Sequence, residues 1–368
     1  ATASGQAGHL LTSDPAPIDR DNPERRGGPP RRQRQRQAHF PADRLEAALS
    51  TQLETAEASN PEDKVMIAEI VQRDLGGFEK ANSNLRVLAA VNLFALGSIS
   101  ARAVEVLNAA VAPFRLAGEG RLLLQAHEEY GMIPGKCEGL VLDCTSEEGA
   151  AADIGGCIRA YSLLRQLELD FTATEVGDEV AAAIAKGYQQ CTVLTSLKLM
   201  FTGANVGDEG ATAIGHATKM CTNLTTVEFG FSRTAVGDEG VAALGQGLEA
   251  CTQISSLSLE FRGTKVGARG SAVLGQCLSK CTLLSSLKME FRGTQIGADG
   301  ARVLGGDLQK CGQLSYLRLM FTDEAIECFD HETVTRTMTR LADTGFEGAD
   351  LAVPVPRHTA PTRCCCAM

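Results

Sequence analysis

The chain has 368 residues, of which 44% are hydrophobic and 5% aromatic, with no tryptophan. Its formal net charge is −10, and because residues 1–40 are rich in arginine, the remainder is more acidic still. An acidic body argues against a nucleic-acid-binding surface, and no apolar run is long enough to span a bilayer.

The segment before Cys137 is predicted to precede the main fold. Residues 1–40 contain the segment RRGGPPRRQRQRQ and almost no apolar side chains, a composition that predicts disorder. Residues 41–136 are expected to form a helical cap, with decayed repeats as the alternative. Within them, Asn60-Pro61-Glu62-Asp63 is a helix start and Gly76-Gly77 a helix stop.

An internal repeat determines the expected fold of residues 137–342. Alternating apolar residues such as Leu287 and Met289 predict a strand, a Gly-containing turn follows, and apolar residues at helical spacing predict a helix. We therefore expect seven parallel strands with helices outside, the first of them a shortened strand at Gly139–Cys144. Two columns recur at the same fixed interval: Cys191, Cys221, Cys251, Cys281 and Cys311, and Phe171, Phe201, Phe231, Phe261, Phe291 and Phe321.

The unit C-T-x-L-x-S-L-x-L-x-F-x-x-T-x-V-G-D-x-G-x-x-x-L-G resembles the ribonuclease-inhibitor-like class of leucine-rich repeats, from about Cys137 to Leu341. The resemblance implies an α/β solenoid, a right-handed horseshoe with parallel strands inside and helices outside. It also implies that the concave strand face binds a partner.

Two features depart from this family. The interval between repeats, as from Cys191 to Cys221, is longer than the family's, which we attribute to a strand lengthened by a Phe-containing pair. In addition, the family's asparagine ladder is replaced by a mostly threonine column, whose hydroxyls are expected to bond the neighbouring backbone. This column is Thr174, Ala204, Thr234, Thr264, Thr294 and Glu324.

No motif predicts catalysis, a metal site or a cofactor. The glycine turns, such as Val-Gly-Asp-Glu-Gly at 206–210 and 236–240, lack the Lys-Ser/Thr of a phosphate-binding loop, and a related turn recurs in each repeat. Cys328 and His331 have a metal-like spacing, but no second pair lies near them. The regularly spaced cysteines are expected to be reduced, buried thiols of an intracellular, cytoplasmic protein.

The exposed strand positions supply the candidate binding residues. The best set lies towards the C-terminal end of the concave face, because arginine and tyrosine are typical interface anchors. The alternative is a mixed-charge surface that serves only solubility. The predicted partner-binding residues are Glu260, Arg262, Lys288, Glu290, Arg292, Tyr316, Arg318 and Met320.

Residues 343–368 are predicted to form a flexible tail. It ends in Cys-Cys-Ala-Met, which resembles a prenylation signal that favours farnesylation of Cys365, and Cys364 could carry a second acyl chain. Such a tail would attach the protein peripherally to a membrane, whereas a chance cysteine-rich ending would have no such role.

Together these features predict a non-enzymatic scaffold or adaptor that binds a protein partner and no nucleic acid. The alternative is a regulator of a small GTPase, because activators of the Ran type resemble this repeat class. A ubiquitin-ligase substrate receptor is disfavoured, since residues 41–136 contain no F-box-like segment.

Overall fold

The computed structural model describes residues 42–50, 52–55, 61–110, 112–132, 135–146, 151–321, 325–328 and 330–344. The segment predicted to be disordered, residues 1–40, lies outside the described residues. So do Glu324 of the threonine column and both predicted lipidation residues, Cys364 and Cys365.

The N-terminal region is helical where it is described. One helix begins at the predicted Pro61, where the missing proline N–H costs no helical hydrogen bond, and ends before Gly76 and Gly77. Both glycines have the left-handed φ values, 73° and 96°, that glycine tolerates best. The four helices are Ala42–Ala48 (α1), Pro61–Asp74 (α2), Phe78–Ala95 (α3) and Ala101–Asn108 (α4), with a 3₁₀ turn at Leu53–Thr55.

The described strands form one open sheet in chain order. They are Phe114–Glu119 (β1), Cys137–Asp143 (β2), Gln166–Asp170 (β3), Ser196–Met200 (β4), Thr226–Gly230 (β5), Ser256–Glu260 (β6), Ser286–Glu290 (β7), Tyr316–Met320 (β8) and Ala325–Cys328 (β9). The helices between them are Gly120–Tyr130 (α5), Ala151–Ile158 (α6), Asp178–Tyr188 (α7), Asp208–Thr218 (α8), Asp238–Glu249 (α9), Ala268–Leu278 (α10) and Gly297–Leu308 (α11), and His331–Thr344 (α12) follows β9.

The expected parallel stack extends further towards the N-terminus than the repeat pattern predicted. Strand β1 pairs in parallel with β2 and is followed by helix α5, so the stack begins at Phe114, ahead of the predicted boundary at residue 137. Strand β2 runs from Cys137 to Asp143 and is longer than β3, so the prediction that it is shortened was wrong. Strand β1 escaped recognition because it lacks the cysteine and phenylalanine columns of the later units.

The C-terminal edge of the stack also differs from the prediction. The seven expected strands, β2 to β8, are parallel as predicted, whereas β9 is antiparallel to β8. Nine described strands thus replace the predicted seven. The antiparallel β9 pairs with backbone groups of β8 that would otherwise form an exposed edge. Helix α12 follows and runs to Thr344, just beyond the point where the flexible tail was predicted to begin.

The phenylalanine column forms a continuous buried stack between the sheet and the helices. Successive rings lie nearly parallel, with centroids 5.3 to 6.1 Å apart from Phe171 to Phe321. Each phenylalanine follows its strand directly, so the idea that it lengthens the strand was wrong. The backbone ladder nevertheless continues through it, since the Phe171 N–H donates to the Met200 carbonyl at 2.7 Å.

Two columns of hydroxyl side chains form hydrogen bonds in the repeats, one in the turn after each strand and one just before each strand. The threonine hydroxyls bond the neighbouring backbone as expected, and they do so within their own turn, as when Thr264 donates to the Phe261 carbonyl at 2.7 Å. A column before each strand makes the bond between repeats instead. There, Thr225 Oγ1 donates to the Thr195 carbonyl at 3.0 Å, and Ser285 Oγ donates to the Ser255 carbonyl at 3.0 Å.

Aspartates at the start of three helices join each repeat to the next. Asp208 Oδ1 accepts hydrogen bonds from the N–H groups of Gly237 (2.7 Å) and Gly240 (2.9 Å), and Asp178 and Asp238 likewise accept from the first glycine of the following turn. A Cβ on Gly240 would lie 2.7 Å from the Asp208 oxygen, so the second glycine of Val-Gly-Asp-Glu-Gly makes room for the bond. We call these three residues the inter-repeat aspartates.

Replacing Asp208 by alanine should lower the free energy of unfolding by about 1.5–3 kcal/mol, because two backbone N–H groups lose a charged acceptor. Urea unfolding measures the loss. The control is Glu209→Ala, which removes an exposed carboxylate next to Asp208 and should change stability by less than about 0.5 kcal/mol. Equal losses in the two variants would contradict a specific role for Asp208.

Candidate interaction surface

The sheet carries the predicted binding residues on the side that faces away from the helices, which we call the sheet face. Apolar residues of β3 to β8 point inwards and are buried, whereas most of the alternating residues on the sheet face are half-exposed. The parallel register aligns these residues in rows across neighbouring strands, and Ser258, for example, pairs with Lys288. All eight predicted binding residues lie on this face or at its rim.

On the N-terminal half of the sheet face, charged side chains satisfy one another. Lys198 Nζ lies 3.1 Å from Glu168 Oε1 and 3.6 Å from Glu228 Oε2, so one lysine bridges three strands. Burial lowers the pKa of Lys198, but the bonds and charges of the two glutamates outweigh burial and raise it. These three side chains, which we call the closed network, pair with one another and leave few unpaired charges for a partner to bind.

Four of the predicted residues are likewise engaged with neighbours. Arg292 Nε donates to Glu290 Oε1 at 2.7 Å. Glu327 of β9 accepts a hydrogen bond from the Tyr316 hydroxyl at 2.9 Å and lies 3.5 Å from Arg318 Nη1. The antiparallel strand thus supplies a carboxylate that engages two of the predicted anchors.

Three other predicted residues remain unpaired. Within the described part of the chain, Glu260, Arg262 and Lys288 make no hydrogen bond or ion pair through their side chains. The Ser258 hydroxyl, beside them on β6, is shielded from solvent and has no hydrogen-bond partner there either. These four residues, which we call the open cluster, adjoin the closed network on one side and the Glu290–Arg292 pair on the other. Met320 is half-exposed at the C-terminal end of the same face.

Glu260 is the least satisfied member of the open cluster. The segment Glu-Phe-Arg-Gly-Thr occurs at 260–264 and again at 290–294, but only the second copy forms its Glu–Arg pair. Glu260 lies directly opposite Glu290 in the strand pairing, a like-charge arrangement that is unfavourable. Burial raises the pKa of Glu260 above its ordinary value, with the charges of Glu290 and Glu228 adding to the shift and Lys288 opposing it.

Glu260→Gln is expected to raise the melting temperature near neutral pH. Because the pKa of Glu260 is raised in the folded state, the wild-type chain loses stability as pH rises from its ordinary value of 4.5 through the raised value, and the glutamine variant does not. The gain should therefore disappear at acidic pH below that window. Glu290→Gln is the control, since it breaks an ion pair and should give no gain. A melting temperature of Glu260→Gln that does not exceed the wild type at any pH would contradict this account.

The described cysteines show no sign of chemical reactivity. Ten described cysteines are free and buried, and burial raises the pKa of Cys191 to about 11 and of Cys251 to about 12. Cys328 instead contacts the Thr337 hydroxyl, and His331 contacts the Leu314 carbonyl. In the described ranges no cluster of His, Cys, Asp or Glu is arranged to hold a metal ion.

The helical N-terminal region presents an apolar surface that the sequence pattern did not predict. Helices α2 and α3 expose large apolar side chains, including Met66 (54% exposed) and Leu88 (58%). Exposed apolar patches often mark contact surfaces, so this region is a second candidate surface. In the part of the chain that is described, none of the helices is both long and apolar enough to cross a membrane.

Comparison with known proteins matches one repeat. A family model described as "Leucine Rich repeat" matches residues 190–215, which span β4, its turn and most of α8. A search of curated proteins gives no match. Among solved structures, the chain is similar to an internalin from Listeria monocytogenes strain 4b F2365, with 14% identity over 61% of this chain and 83% of that chain, and a TM-score of 0.22. The matched segment carries a leucine-rich repeat, and neighbouring units repeat the same strand, turn and helix in an open solenoid.

Proposed function

We propose that the chain is a non-enzymatic scaffold or adaptor that binds a protein partner through the sheet face, with the open cluster at the centre of the contact. The supporting observation is the uneven pairing of polar groups on that face. The closed network and the Glu290–Arg292 pair satisfy themselves, whereas Ser258, Glu260, Arg262 and Lys288 do not. Leaving the shielded Ser258 hydroxyl and the partly buried Glu260 carboxylate unmatched costs stability, and a partner that supplies the missing bonds would recover that free energy.

The contact would include more than the four unpaired residues. Tyr316, Arg318 and Met320 flank the open cluster on β8, and an aromatic ring, a guanidinium and a flexible thioether are side chains that interfaces favour. Because Tyr316 and Arg318 are already held by Glu327, they are preorganised and would lose little conformational freedom on binding.

Site-specific photo-crosslinking tests the proposal. A photoreactive amino acid is placed at Ser258 on the sheet face, or at the exposed Val303 of α11 as a control on the helix layer. We expect a discrete crosslinked protein from position 258 and none from position 303. Adding Lys288→Glu to the first variant should remove the product. Equal products from both positions, or a product that survives Lys288→Glu, would contradict the proposal.

For the finer classification, we propose the ribonuclease-inhibitor-like class with a 30-residue variant repeat. The alternation of parallel strands and helices, and the pairing of equivalent residues of successive repeats such as Leu167 with Leu197, support this assignment. No observation on the described residues favours the alternative of a GTPase regulator, which a single-turnover GTP hydrolysis assay would test.

We further propose an intracellular, cytoplasmic protein attached peripherally to membranes by farnesylation of Cys365, with Cys364 as a second acylation site. The assignment requires that Cys-Cys-Ala-Met is the carboxyl terminus of the protein. The ten free, buried thiols suit a reducing compartment. Cys365→Ser should move the protein from the membrane to the soluble fraction and remove a lipid mass from the C-terminal peptide. An equal distribution of variant and wild type, with no lipid mass, would exclude lipidation.

A further inference from the structure

The turns between strand and helix change the sign of their charge along the stack. Each turn segment begins just after the strand and ends in the first turn of the helix. The net charge of this segment is −3 at 173–179, −2 at 203–209 and −1 at 233–239, but +2 at 263–269. On a chain whose total charge is −10, this edge is a local reversal of charge.

Four cationic residues lie on or beside the two turns where the charge changes sign. They are Arg233, Arg262, Lys265 and Arg269, and we call them the basic edge. The Arg233 N–H donates to the Arg262 carbonyl at 2.6 Å, and the Lys265 N–H donates to the Val236 carbonyl at 2.9 Å. These backbone bonds hold the two turns side by side. The Arg233 side chain also runs along the next turn, since a Cβ on Gly263 would lie 3.8 Å from its Cγ.

None of the four cations has an ion-pair partner in the described ranges, and the carboxylates nearby are those of Asp238 and Glu239, which line the same cavity as Arg269. All four are exposed, and none forms an ion pair or a side-chain hydrogen bond with the described residues. Helices α7, α8 and α9 each carry two acidic residues in their first turn, whereas α10 has none there. The carboxylate at the start of α10 comes instead from the preceding repeat, where Asp238 Oδ1 accepts a hydrogen bond from the Gly267 N–H at 2.7 Å.

The sequence change that creates the basic edge removes a structural bond. At the position of the inter-repeat aspartates, this turn has Ala268, followed by Arg269 in place of a glutamate. The next glycine, Gly297, has φ of +63°, whereas the aspartate-bonded Gly237 and Gly267 have φ of −124° and −115°. Helix α11 accordingly starts at Gly297 itself. A repeat that departs from a stabilising local pattern is a candidate for a functional site.

We infer that the basic edge is a contact surface in its own right, which binds an acidic segment of a protein partner. Arg262 connects it to the open cluster, so that one partner could extend from the sheet face onto the turns. Nucleic acid is disfavoured as the ligand, because the chain is acidic overall and residues 262–269 contain no aromatic side chain on which a base could stack. Carboxylates suit the site because arginine binds them in a bidentate manner.

Fluorescence anisotropy with a defined probe tests this inference on the full chain at physiological salt. The probe is a fluorescein-labelled peptide of alternating glutamate and glycine, and the comparison probes are the lysine–glycine peptide and single-stranded oligothymidine. The edge variant carries Arg233→Gln, Lys265→Gln and Arg269→Gln, and it leaves Arg262 of the open cluster unchanged. The matched control carries Arg159→Gln, Lys186→Gln and Lys219→Gln, which remove three exposed cations elsewhere on the stack and change the net charge equally.

The glutamate peptide should bind the wild type, and the edge variant should bind it about tenfold more weakly, since three ion pairs of modest strength are lost. The control variant should stay within about twofold of the wild type. Equally weakened peptide binding in both variants would show that the effect depends only on net charge, and this would overturn the inference. Tighter, edge-dependent binding of oligothymidine would also overturn it, in favour of a nucleic-acid surface.

The inference is separable from the proposed function. Loss of peptide binding in the edge variant with an unchanged crosslink from position 258 would leave both surfaces in place as independent sites. Failure of the glutamate peptide to bind the wild type would refute the basic edge alone, whereas loss of the crosslink result would refute the sheet-face contact alone.

Discussion

Phe261→Ala is expected to lower the free energy of unfolding by about 3–5 kcal/mol. The Phe261 ring is fully buried and stacks on Phe231 at 6.1 Å and on Phe291 at 5.8 Å, so its removal leaves a cavity with an unsupported ring on each side. Because each repeat contacts only its neighbours, the damage should spread to the units before and after. Urea unfolding gives the loss, and hydrogen exchange should show faster exchange in β5 to β7.

Two variants control for the size and the place of the change. Phe261→Leu keeps most of the volume and should cost less than about 1.5 kcal/mol. Phe321→Ala removes the last phenylalanine of the column, whose residue is 8% exposed, and should cost less than Phe261→Ala. A loss below about 1 kcal/mol for Phe261→Ala would show that the column is not part of the core.

Gly247→Ala is expected to destabilise the protein by about 1–3 kcal/mol, although alanine is ordinarily the better helix former. A Cβ on Gly247 would lie 2.2 Å from the Gly215 carbonyl oxygen of the adjacent helix α8. In turn, a Cβ on Gly215 would lie 2.3 Å from the Ala243 carbonyl oxygen. The two helices therefore interlock through their backbones, and a single methyl group must push them apart. Chemical unfolding measures the loss.

In the matched control, a glycine-to-alanine substitution is expected to stabilise the protein. Gly306 lies inside α11, and a Cβ there would meet no atom closer than the Ala342 Cβ at 3.9 Å. Gly306→Ala should therefore stabilise the protein by about 0.5–1 kcal/mol through helix propensity alone. If both substitutions stabilised the protein, the close approach of α8 and α9 would not limit the packing.

The repeat columns are the part of the fold that could be predicted from sequence. Alternation in segments such as Ser286–Glu290 decides which side chains are buried, because successive residues of a strand point to opposite faces. The same spacing aligned the phenylalanines as a buried column. Strands β1 and β9 could not be predicted in this way, since the end units lack the repeating residues, and the edge of a sheet is completed by whatever segment can pair with it.

The hydrogen-bond partners of the polar side chains could be assigned only from the tertiary structure. The sequence predicts that the threonine column bonds the neighbouring backbone, and it does so within each turn, whereas the bonds between repeats come from Thr195, Ser255 and their equivalents and from the inter-repeat aspartates. The signal was present as hydroxyl residues recurring once per repeat before the strands. The sequence did not show which carbonyl each hydroxyl bonds. A hydroxyl can bond equally well within its own turn or across repeats, and small differences in backbone position decide between the two.

For the candidate site, the sequence by itself determined which residues share the sheet face. Strand periodicity fixes the face to which each side chain points, and the repeat length fixes which residues align in one row across neighbouring strands. Only the tertiary structure decided which of them are available. Glu260 and Glu290 occupy the same position in identical Glu-Phe-Arg-Gly-Thr segments, yet only Glu290 is paired. Pairing depends on distances of a few ångströms between side chains from different strands, including Glu327 of the antiparallel β9. A one-dimensional pattern does not contain those distances.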